Sequence, residues 1–315
     1  MFQGSLSRKR VSLTGNGVKK IALDLVPPAT VALIVLFWSF APAAWTGNPR
    51  SIIVASIVTI AFVQALEWVG ERHVGWRLTW SEFFTDVFYV ILGLTVIDLL
   101  SSRLAEEPLT AAKHALGFST PWVMHWPFLV QVALVMFLIE FGQYWMHRLM
   151  HNSTPFWLTH APHHHVTQLN AMKGSVGNPI ELFLISLSVV ALFDVPLVAV
   201  FCAANVLSAV SIFAHANVRS DPPSWYAFFF TTIRHHSLHH SVPYEDTRCN
   251  YANSLILIDR AFGTFRDGEA DVVGQGDRTR LSIREQFVFP FVPLIDAVKA
   301  RRAHVRAGAG ESATV

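Results

Sequence analysis

Cysteine is scarce in this chain, with two residues among 315. Cys202 lies in an apolar run and Cys249 in a polar stretch, and neither belongs to a Cys-x-x-Cys pair. These positions exclude a disulfide framework and an iron–sulfur or rubredoxin-type centre built from cysteine. Any electrons that the protein uses must therefore come from outside the chain.

Charge is scarce as well, since 15% of the residues are charged and 52% are hydrophobic. That composition is too apolar for an ordinary soluble protein. The formal net charge is +2, and the basic residues gather at the two ends and in short linkers. This distribution is typical of a protein that contacts a membrane surface, and it predicts no nucleic-acid partner.

Four apolar runs are predicted to cross a hydrocarbon core of ~30 Å as helices. They cover residues 25–45, 51–66, 83–100 and 122–139. The third run contains Asp86 and Asp98, which we expect to face other helices or the interfaces. The basic residues of segment 1–24 predict a cytoplasmic N-terminus, and four crossings return the chain to that side. Cleavage of a signal peptide after Ala43 is a less favoured alternative that leaves this side unchanged.

A further apolar stretch, residues 180–214, is interrupted by Asp194-Val-Pro196 and predicts a helical hairpin that dips into or through the membrane. Residues 286–299 are predicted to lie in the membrane interface, and residues 307–315 to form a flexible tail. The fold class is therefore all-α and integral to the membrane, with about four transmembrane helices, this hairpin and a cytoplasmic histidine-rich cap. We divide the chain into a basic N-terminus (1–24), N-terminal transmembrane helices (25–121), a histidine-containing domain (122–267) and a C-terminal interfacial segment with its tail (268–315).

Histidine, in contrast, is abundant, with fifteen residues. Eight of them form three patterned groups: His147-x3-His151, His160-x2-His163-His164 and His236-x2-His239-His240. The first pair lies on one face of a helix that continues the fourth span. Pro162 predicts that the second group straddles a helix start, with His160 just outside. A single histidine is usually an interfacial polar residue, but eight rings brought together without a metal would leave donors unpaired or charges repelling.

The pattern narrows the type of metal site without naming the metal. Eight or more imidazoles are too many for one ion and indicate a dinuclear centre. The chain has neither the His-Glu-x-x-His of zinc proteases nor the Glu-x-x-His of ferritin-like di-iron proteins. Imidazole suits iron, zinc or copper. His73, His114, His125 and His304 are interpreted as structural, and His165 and His235 as neighbours of the site.

The surrounding motifs resemble those of the fatty acid hydroxylase and sterol desaturase superfamily over residues 130–267. They are Glu140-Phe-x2-Tyr144-Trp145-x-His147-Arg148, Phe213-Ala-His215-Ala-Asn217, Asn250-Tyr251 and Asp259-Arg260-Ala-Phe262-Gly263-Thr264-Phe265. The resemblance implies a four-helix membrane base and a cytoplasmic cap that holds two non-haem irons. The implied ligands are His147, His151, His160, His163, His164, His215, His236, His239 and His240.

Two positions depart from the family pattern. Glu140 stands where an aspartate is common, and Asn178-Pro179-x-Glu181 stands where many members have His-Pro-x-Glu. The second departure puts the ligand count of one metal in doubt. An all-histidine ligand set also gives importance to carboxylates that orient the rings, and the candidates are Glu140, Glu181, Asp246 and Asp259. Trp145, Trp157 and Phe213 are candidates for a lipid channel, with core packing as the more common reading.

The resulting hypothesis is an O2-dependent hydroxylase or desaturase of a sterol, fatty acyl chain or related lipid, with two irons and O2 as co-substrate. It requires a separate electron donor of the cytochrome b5, ferredoxin or reductase type, and a bacterial inner membrane or endoplasmic reticulum location. One alternative is a non-enzymatic divalent-metal transporter or sensor. A third hypothesis keeps the di-iron fold but changes its chemistry through Asn178.

Overall fold

The computed structural model describes residues 17–311, which are helical with two isolated β-bridges and no β-strand. In chain order the α-helices are α1 Gly17–Phe40, α2 Ala43–Thr46, α3 Arg50–Val69, α4 Trp80–Leu92, α5 Asp98–Ser101, α6 Glu107–Ala115, α7 Phe128–Asn152, α8 Thr154–His164, α9 Pro179–Ser186, α10 Leu197–His215, α11 Ser224–Phe229, α12 Ile233–His239, α13 Leu257–Ala261, α14 Ile283–Val288 and α15 Val292–Glu311. The predicted all-α class is confirmed for these residues.

Five helical segments among the described residues are long and apolar enough to cross a membrane, which makes this a multi-pass membrane protein. They are Gly17–Phe40, Arg50–Val69, Trp80–Ala115, Phe128–Asn152 and Leu197–His215. The third is longer than predicted because two π-helical turns, Gly93–Ile97 and Ser102–Glu106, join α4, α5 and α6 into one helix. Of the basic segment 1–24, residues 1–16 lie outside the described part, and α1 begins at Gly17.

The predicted hairpin passes along the whole bundle. Its first arm is α9 with a short 3-10 turn, and its second arm, α10, is a full-length apolar helix. Between the arms, Asp194 accepts hydrogen bonds from Lys113 Nζ at 2.5 Å and from the backbone N–H of Thr120 at 2.5 Å. Since these partners connect α6 to α7, the hairpin turn lies at the end of the bundle opposite the histidines. The four predicted spans are therefore joined by α10 as a fifth, and the first arm of the hairpin, α9 with its 3-10 turn, is an interrupted helix beside it.

Helix α10 is the centre of the bundle. Of the residues in its most apolar segment 67% are buried, whereas the corresponding share is 22–28% in the other four spans. It packs against α1, α3 and α7. Ala199, Ala203 and Ala209 are fully buried and let neighbouring backbones approach closely, which is how helices associate in lipid. Trp38 of α1 donates its indole N–H to Asn205 at 3.2 Å. This bond joins the middle of α10 to α1.

The remaining helices and loops form a cap over the ends of α7 and α10. Backbone contacts join it to the α3–α4 connection, including the bridge between Glu71 and Val218. The guanidinium of Arg72 holds Glu269 of the cap at 2.5 and 2.7 Å, and His73 contacts the same carboxylate at 3.0 Å. His73 therefore takes part in the hydrogen-bond network at this junction, and its structural interpretation stays a prediction.

The C-terminal segment is more regular than predicted. Residues 286–299 run from the end of α14 through a 3-10 turn into α15, and they expose Phe291, Leu294 and Val298. This exposure fits a segment at the membrane interface. α15 extends to Glu311, beyond the predicted start of the tail at residue 307, and the flexibility of that tail stays a prediction. Residues 312–315 lie outside the described range.

Candidate metal centre

The first histidine group that the fold assembles contains five rings. His147 and His151 project from the last turns of α7, His160 and His164 from α8, and His239 from α12. Nε2 of His160 lies 2.9 Å from Nε2 of His147, 3.1 Å from that of His151 and 3.0 Å from that of His164. Nε2 of His239 lies 3.0 Å from that of His147. We call these residues the five-histidine cluster.

The second group contains four rings, from His163, His215, His236 and His240. Nε2 of His236 lies 2.9 Å from Nε2 of His215 and 3.2 Å from that of His240. We call this group the four-histidine cluster. The rings of His164 and His240 stack at 4.5 Å, so the two clusters touch.

The spacing of the motifs decides which ring enters which cluster. Rings four residues apart on one helix face share a cluster, as His160 with His164 and His236 with His240. The ring three residues after the first, His163 or His239, crosses to the other cluster. Each copy of His-x2-His-His therefore supplies two rings to one cluster and one ring to the other. The copy that starts at His160 gives two rings to the five-histidine cluster, and the copy that starts at His236 gives two to the four-histidine cluster.

The helix that carries the motif His160-x2-His163-His164 starts earlier than predicted. His160, His163 and His164 all belong to α8, and Pro162 lies inside that helix. The helix starts earlier, with Pro155 in its first turn. A proline there costs no hydrogen bond, and Pro162 in the last turn removes only one.

Hydrogen bonds to backbone carbonyls fix the tautomer of four of the nine rings. Backbone carbonyls accept from His147, His163, His215 and His239 at 2.6–2.8 Å; they belong to Tyr251, Val176, Ser211 and Cys249, respectively. A carbonyl only accepts, so the network assigns the proton of each neutral ring to Nδ1 and a lone pair to Nε2. Lone pairs that face one another at about 3 Å in a buried space repel unless a cation lies between them.

Burial keeps these rings neutral. All nine are at most 6% exposed. Burial lowers the pKa of His160 to about 3. Burial, followed by the proximity of other rings, also lowers the pKa of His164, His236 and His240 well below the ordinary value. An imidazolium therefore does not relieve the repulsion at neutral pH, and the neutral form is the one that binds metals.

The donor set fits two metal ions. Imidazole nitrogens about 2.0–2.1 Å from one ion and at right angles to each other lie about 3 Å apart. The Nε2 separations of 2.9–3.2 Å in both clusters match that spacing. All nine histidines that the sequence singled out lie in the clusters, and their role as ligands stays a prediction. His165 and His235 lie outside both groups.

Glu181 is the carboxylate in direct contact with a cluster ring. Its Oε1 accepts from Nδ1 of His160 at 2.7 Å. Its Oε2 accepts from the backbone N–H of Asn178 at 3.2 Å, which completes a capping box at the start of α9. A carboxylate on the distal nitrogen of a metal-binding ring fixes the tautomer and strengthens the donor.

The side chain of Asn178 takes part in the same capping box at the start of α9. Its Oδ1 accepts from the N–H of Ile180 at 2.9 Å, and its Nδ2 donates to the carbonyls of Gln286 and Phe287 at 2.8 and 3.1 Å. The side chain joins α9 to α14, and the four-histidine cluster assembles from other residues.

Asp259 and Glu140 act on the loop that follows α12 rather than on a ring. Asp259 accepts from the backbone N–H groups of Tyr251 and Ala252, each at 2.8 Å, and Glu140 accepts from that of Ser254 at 2.8 Å. They hold the loop whose Tyr251 carbonyl contacts His147. The expectation for Asp246 is wrong, because it lies at the surface and pairs with Arg266 at 3.0 Å.

Three aromatic candidates occupy different places. Trp157 packs against His151 and His164, with ring centroids at 5.2 and 5.4 Å. Trp145 is half-exposed on α7, and Phe213 is buried in the core shared with α1 and α3. Trp157 therefore covers the five-histidine cluster, whereas the other two contact no ring of either cluster in the aromatic pairs of the described residues.

Sequence reasoning missed the contacts made by the backbone. Asn250 has a φ of 51°, and its side chain bonds to the carbonyls of His235 and Arg266. This left-handed residue turns the chain so that the carbonyls of Cys249 and Tyr251, on either side of it, both meet cluster rings. Asparagine tolerates that conformation better than most residues, which is the one signal the sequence offered.

Comparison with known proteins agrees with this geometry. A family model described as fatty acid hydroxylase matches residues 132–264, which contain all nine histidines. This part of the chain is therefore similar to the fatty acid hydroxylase family.

Three curated proteins are similar to the chain. The chain is 28% identical to ornithine lipid hydroxylase OlsE of Rhizobium tropici over 68% of this chain and 66% of that protein. It is 29% identical to alkylglycerol monooxygenase of Homo sapiens over 50% of this chain and 34% of that protein. It is 30% identical to Delta(7)-sterol-C5(6)-desaturase of Nicotiana tabacum over 44% of this chain and 51% of that protein. The chain thus spans less than two thirds of these relatives, and no solved structure matches it.

Proposed function

We propose that this protein belongs to the fatty acid hydroxylase and sterol desaturase superfamily and is a membrane-bound di-iron oxygenase that hydroxylates or desaturates a lipid. The observation that carries the proposal is the convergence of nine buried Nε2 atoms into two touching clusters. The names of the relatives, which act on an ornithine lipid, an alkylglycerol and a sterol, support a lipid as the substrate.

Two irons bound by the clusters would supply the activation of O2 that breaks an unactivated C–H bond. For hydroxylation, the lipid, O2, two electrons and two protons give an alcohol and water. The cysteine content leaves the electrons to a separate donor protein. The chain's own task is to hold the rings, exclude water and place one carbon of the lipid near the clusters.

Named residues carry out the holding. The carbonyls of Tyr251, Cys249, Val176 and Ser211 orient four rings, and Glu181 orients His160. Trp157 and the cap keep solvent from the five-histidine cluster, in which each ring is at most 1% exposed. Water exclusion matters because it strengthens the electrostatic interactions inside the site.

We also propose that the clusters lie on the cytoplasmic side. Lys19 and Lys20 lie at the start of α1, where Lys19 donates to the carbonyl of Val69 at 2.7 Å and Lys20 pairs with Asp221 of the cap at 3.0 Å. The basic start of the chain and the histidine cap therefore share one end of the bundle. The positive-inside rule assigns that end to the cytoplasm.

Metal analysis and lipidomics together test the proposal. Protein purified from iron-replete cells should hold one iron for each of the two clusters. Cells that express the protein should gain a lipid that differs from its precursor by one oxygen or by two hydrogens. Protein without bound transition metal would refute the proposal, and so would metal-dependent flux into proteoliposomes without oxygen consumption, which is the result expected of a transporter.

A further inference from the structure

A pocket of about 620 Å³ opens at the cap end of the bundle, where the start of α1, the end of α3 and the segment after α10 meet. Tertiary contacts build its wall. Lys19 donates to the carbonyl of Val69 at 2.7 Å, and the backbone N–H of Arg219 donates to the carbonyl of Gly70 at 2.7 Å. None of the nine cluster histidines lines it, so this pocket is a site apart from the metal centre.

Basic side chains dominate the wall of the pocket. Among the described residues that line it, one is acidic, Glu71, and four are basic: Lys19, Lys20, Arg77 and Arg219. The guanidinium of Arg77 binds both oxygens of Glu71, at 2.7 and 3.0 Å. The wall therefore offers a ligand positive charge and no carboxylate that is still unpaired.

Two of the four cations keep their charge uncompensated. Lys20 pairs with Asp24 at 2.5 Å and with Asp221 at 3.0 Å. Lys19, in contrast, bonds only to a carbonyl, which does not neutralise an ammonium. The exposed guanidinium of Arg219 makes no hydrogen bond or ion pair with any residue in the described part of the chain. An anion that enters the pocket meets both of these cations.

The pocket opens at the level of the lipid headgroups. Trp68 and Ile21 line it and are 78% and 60% exposed. They lie at the cap-side ends of α3 and α1, which are membrane spans, and tryptophan at the end of a span marks the boundary between hydrocarbon and headgroups. Basic pockets between spans on the cytoplasmic side, which is the proposed side of the cap, bind lipid headgroups that carry phosphate.

We propose that this pocket binds the phosphate group of an anionic membrane lipid, with Lys19 and Arg219 as its charged contacts and Trp68 beside the lipid below the phosphate. A phosphate has enough oxygens to accept from the guanidinium fork of Arg219 and from the ammonium of Lys19 at once. The inference concerns a second binding site and does not rest on the proposed function of the histidine clusters.

The charges of the wall also select the class of headgroup. The amine of a zwitterionic headgroup, such as phosphatidylethanolamine or phosphatidylcholine, needs an anionic partner, and Arg77 already occupies Glu71. A headgroup without an amine, such as the glycerol of phosphatidylglycerol, needs none. The exposed apolar side chains of Ile21 and Trp68 favour a phosphate that belongs to a lipid over a free phosphate ion.

Native mass spectrometry of the full-length protein in detergent tests the ligand. Separate samples are titrated with phosphatidylglycerol and with phosphatidylcholine of the same acyl chains, so that only the headgroup differs. The first phosphatidylglycerol should bind about tenfold more tightly than the first phosphatidylcholine. Inorganic phosphate at the same concentrations should not displace the bound phosphatidylglycerol.

A matched pair of double variants locates the binding. Lys19→Gln with Arg219→Gln removes both uncompensated cations and should lower phosphatidylglycerol affinity about tenfold, to the level of phosphatidylcholine. Arg50→Gln with Arg284→Gln removes the same charge from two exposed positions outside the pocket and should leave the affinity unchanged. Arg219→Lys keeps the charge and should keep most of the affinity.

Three results would overturn the inference: equal affinity for the two phospholipids, phosphatidylglycerol binding that survives the loss of Lys19 and Arg219, or an equal loss in the control variant. Displacement of the lipid by inorganic phosphate would also overturn it, in favour of a soluble anion. Both cations are exposed, so thermal unfolding and iron per chain should match the unmodified protein. If the double variant unfolds early, Lys19→Gln and Arg219→Gln are measured singly, and unchanged affinity in both then refutes the site.

Discussion

The five-histidine and four-histidine clusters differ in how firmly the protein holds them. In the first, four of five rings have a partner for Nδ1, namely a carbonyl for His147 and His239, Glu181 for His160 and the hydroxyl of Thr247 for His151. In the second, His163 and His215 have a carbonyl, whereas Nδ1 of His236 and His240 has no partner among the described residues.

Under the proposed function, this difference assigns different roles to the two metal sites. A site with more ligands and more outer contacts is rigid, whereas a site with fewer ligands keeps a position open for a reactant. Substitutions in the two clusters and in their outer contacts test this contrast.

Removal of one ring from either cluster should have the largest effect. His160 is within 3.1 Å of three other Nε2 atoms, and His236 is within 3.2 Å of two. His160→Ala and His236→Ala should each lose one of two irons, and lipid oxidation should fall by more than the roughly 10–100-fold that the loss of an outer contact costs. Iron per chain measures the result, and His114→Ala, at an exposed position of α6, is the control. Retention of both irons in both variants would contradict the two-cluster assignment.

Lys173 holds the loop that serves the four-histidine cluster. Its ammonium is buried between Glu82 and Asp86 of α4, and the loop carries Val176, whose carbonyl accepts from His163. Lys173→Met should lower the free energy of unfolding by about 3–5 kcal/mol, because it leaves a buried carboxylate unpaired. Thermal unfolding in detergent measures this change.

The control for Lys173→Met is Arg103→Met, which breaks the exposed ion pair with Glu107 and should cost about 0–1 kcal/mol. Iron analysis of double variants adds a second test. In a His160→Ala background, the four-histidine cluster alone remains intact, and Lys173→Met should weaken its iron binding. In a His236→Ala background, the five-histidine cluster alone remains intact, and Lys173→Met should leave its iron binding unchanged. Equal weakening in both backgrounds would show that the loop does not distinguish the clusters.

The sequence predicted which side chains meet, but not how they are held. Spacing of three and four residues is visible in a sequence, so the histidine groups were found, together with the apolar spans that bring them to one end. Glu181 was found because its motif survives beside Asn178. The carbonyls of Tyr251, Cys249 and Val176 were missed because every residue has one, and only the fold decides where it points.

Other differences have local causes. The third span was predicted too short because Arg103, Glu106 and Glu107 interrupt its hydropathy, although α-helical and π-helical turns continue through them. Asp246 was named as a carboxylate that could orient a ring, yet it lies in the 3-10 turn Tyr244–Thr247 after α12 and pairs with Arg266. The first error arises because hydropathy alone does not show where a helix ends. The second arises because a tertiary contact decides where the carboxylate lies.

Glu181 offers a test of the more firmly held cluster. Glu181→Gln keeps an oxygen that accepts from His160 but loses the charge, whereas Glu181→Ala loses both. We expect iron affinity of the five-histidine cluster to fall about tenfold for the first and up to about 100-fold for the second. Chelator competition in the His236→Ala background measures it. Glu285→Gln removes the charge from a capping box at the exposed start of α14 and should leave iron affinity unchanged. If Glu285→Gln weakens binding equally, the effect reflects helix capping rather than the contact with His160.

The smallest effect is expected at Asn250, whose left-handed backbone positions two carbonyls at the five-histidine cluster. Asn250→Gly keeps that conformation at no steric cost and loses only the side-chain bonds. Asn250→Ala loses the same bonds and keeps a Cβ at positive φ, which costs about 1–2 kcal/mol relative to glycine. Iron affinity should therefore fall by up to about tenfold for alanine and by less for glycine. Arg278→Ala provides the control, since Arg278 has a φ of 59° in a loop outside both clusters. A glycine variant that binds iron more weakly than the alanine variant would show that the side-chain bonds, rather than the backbone turn, hold the two carbonyls in place.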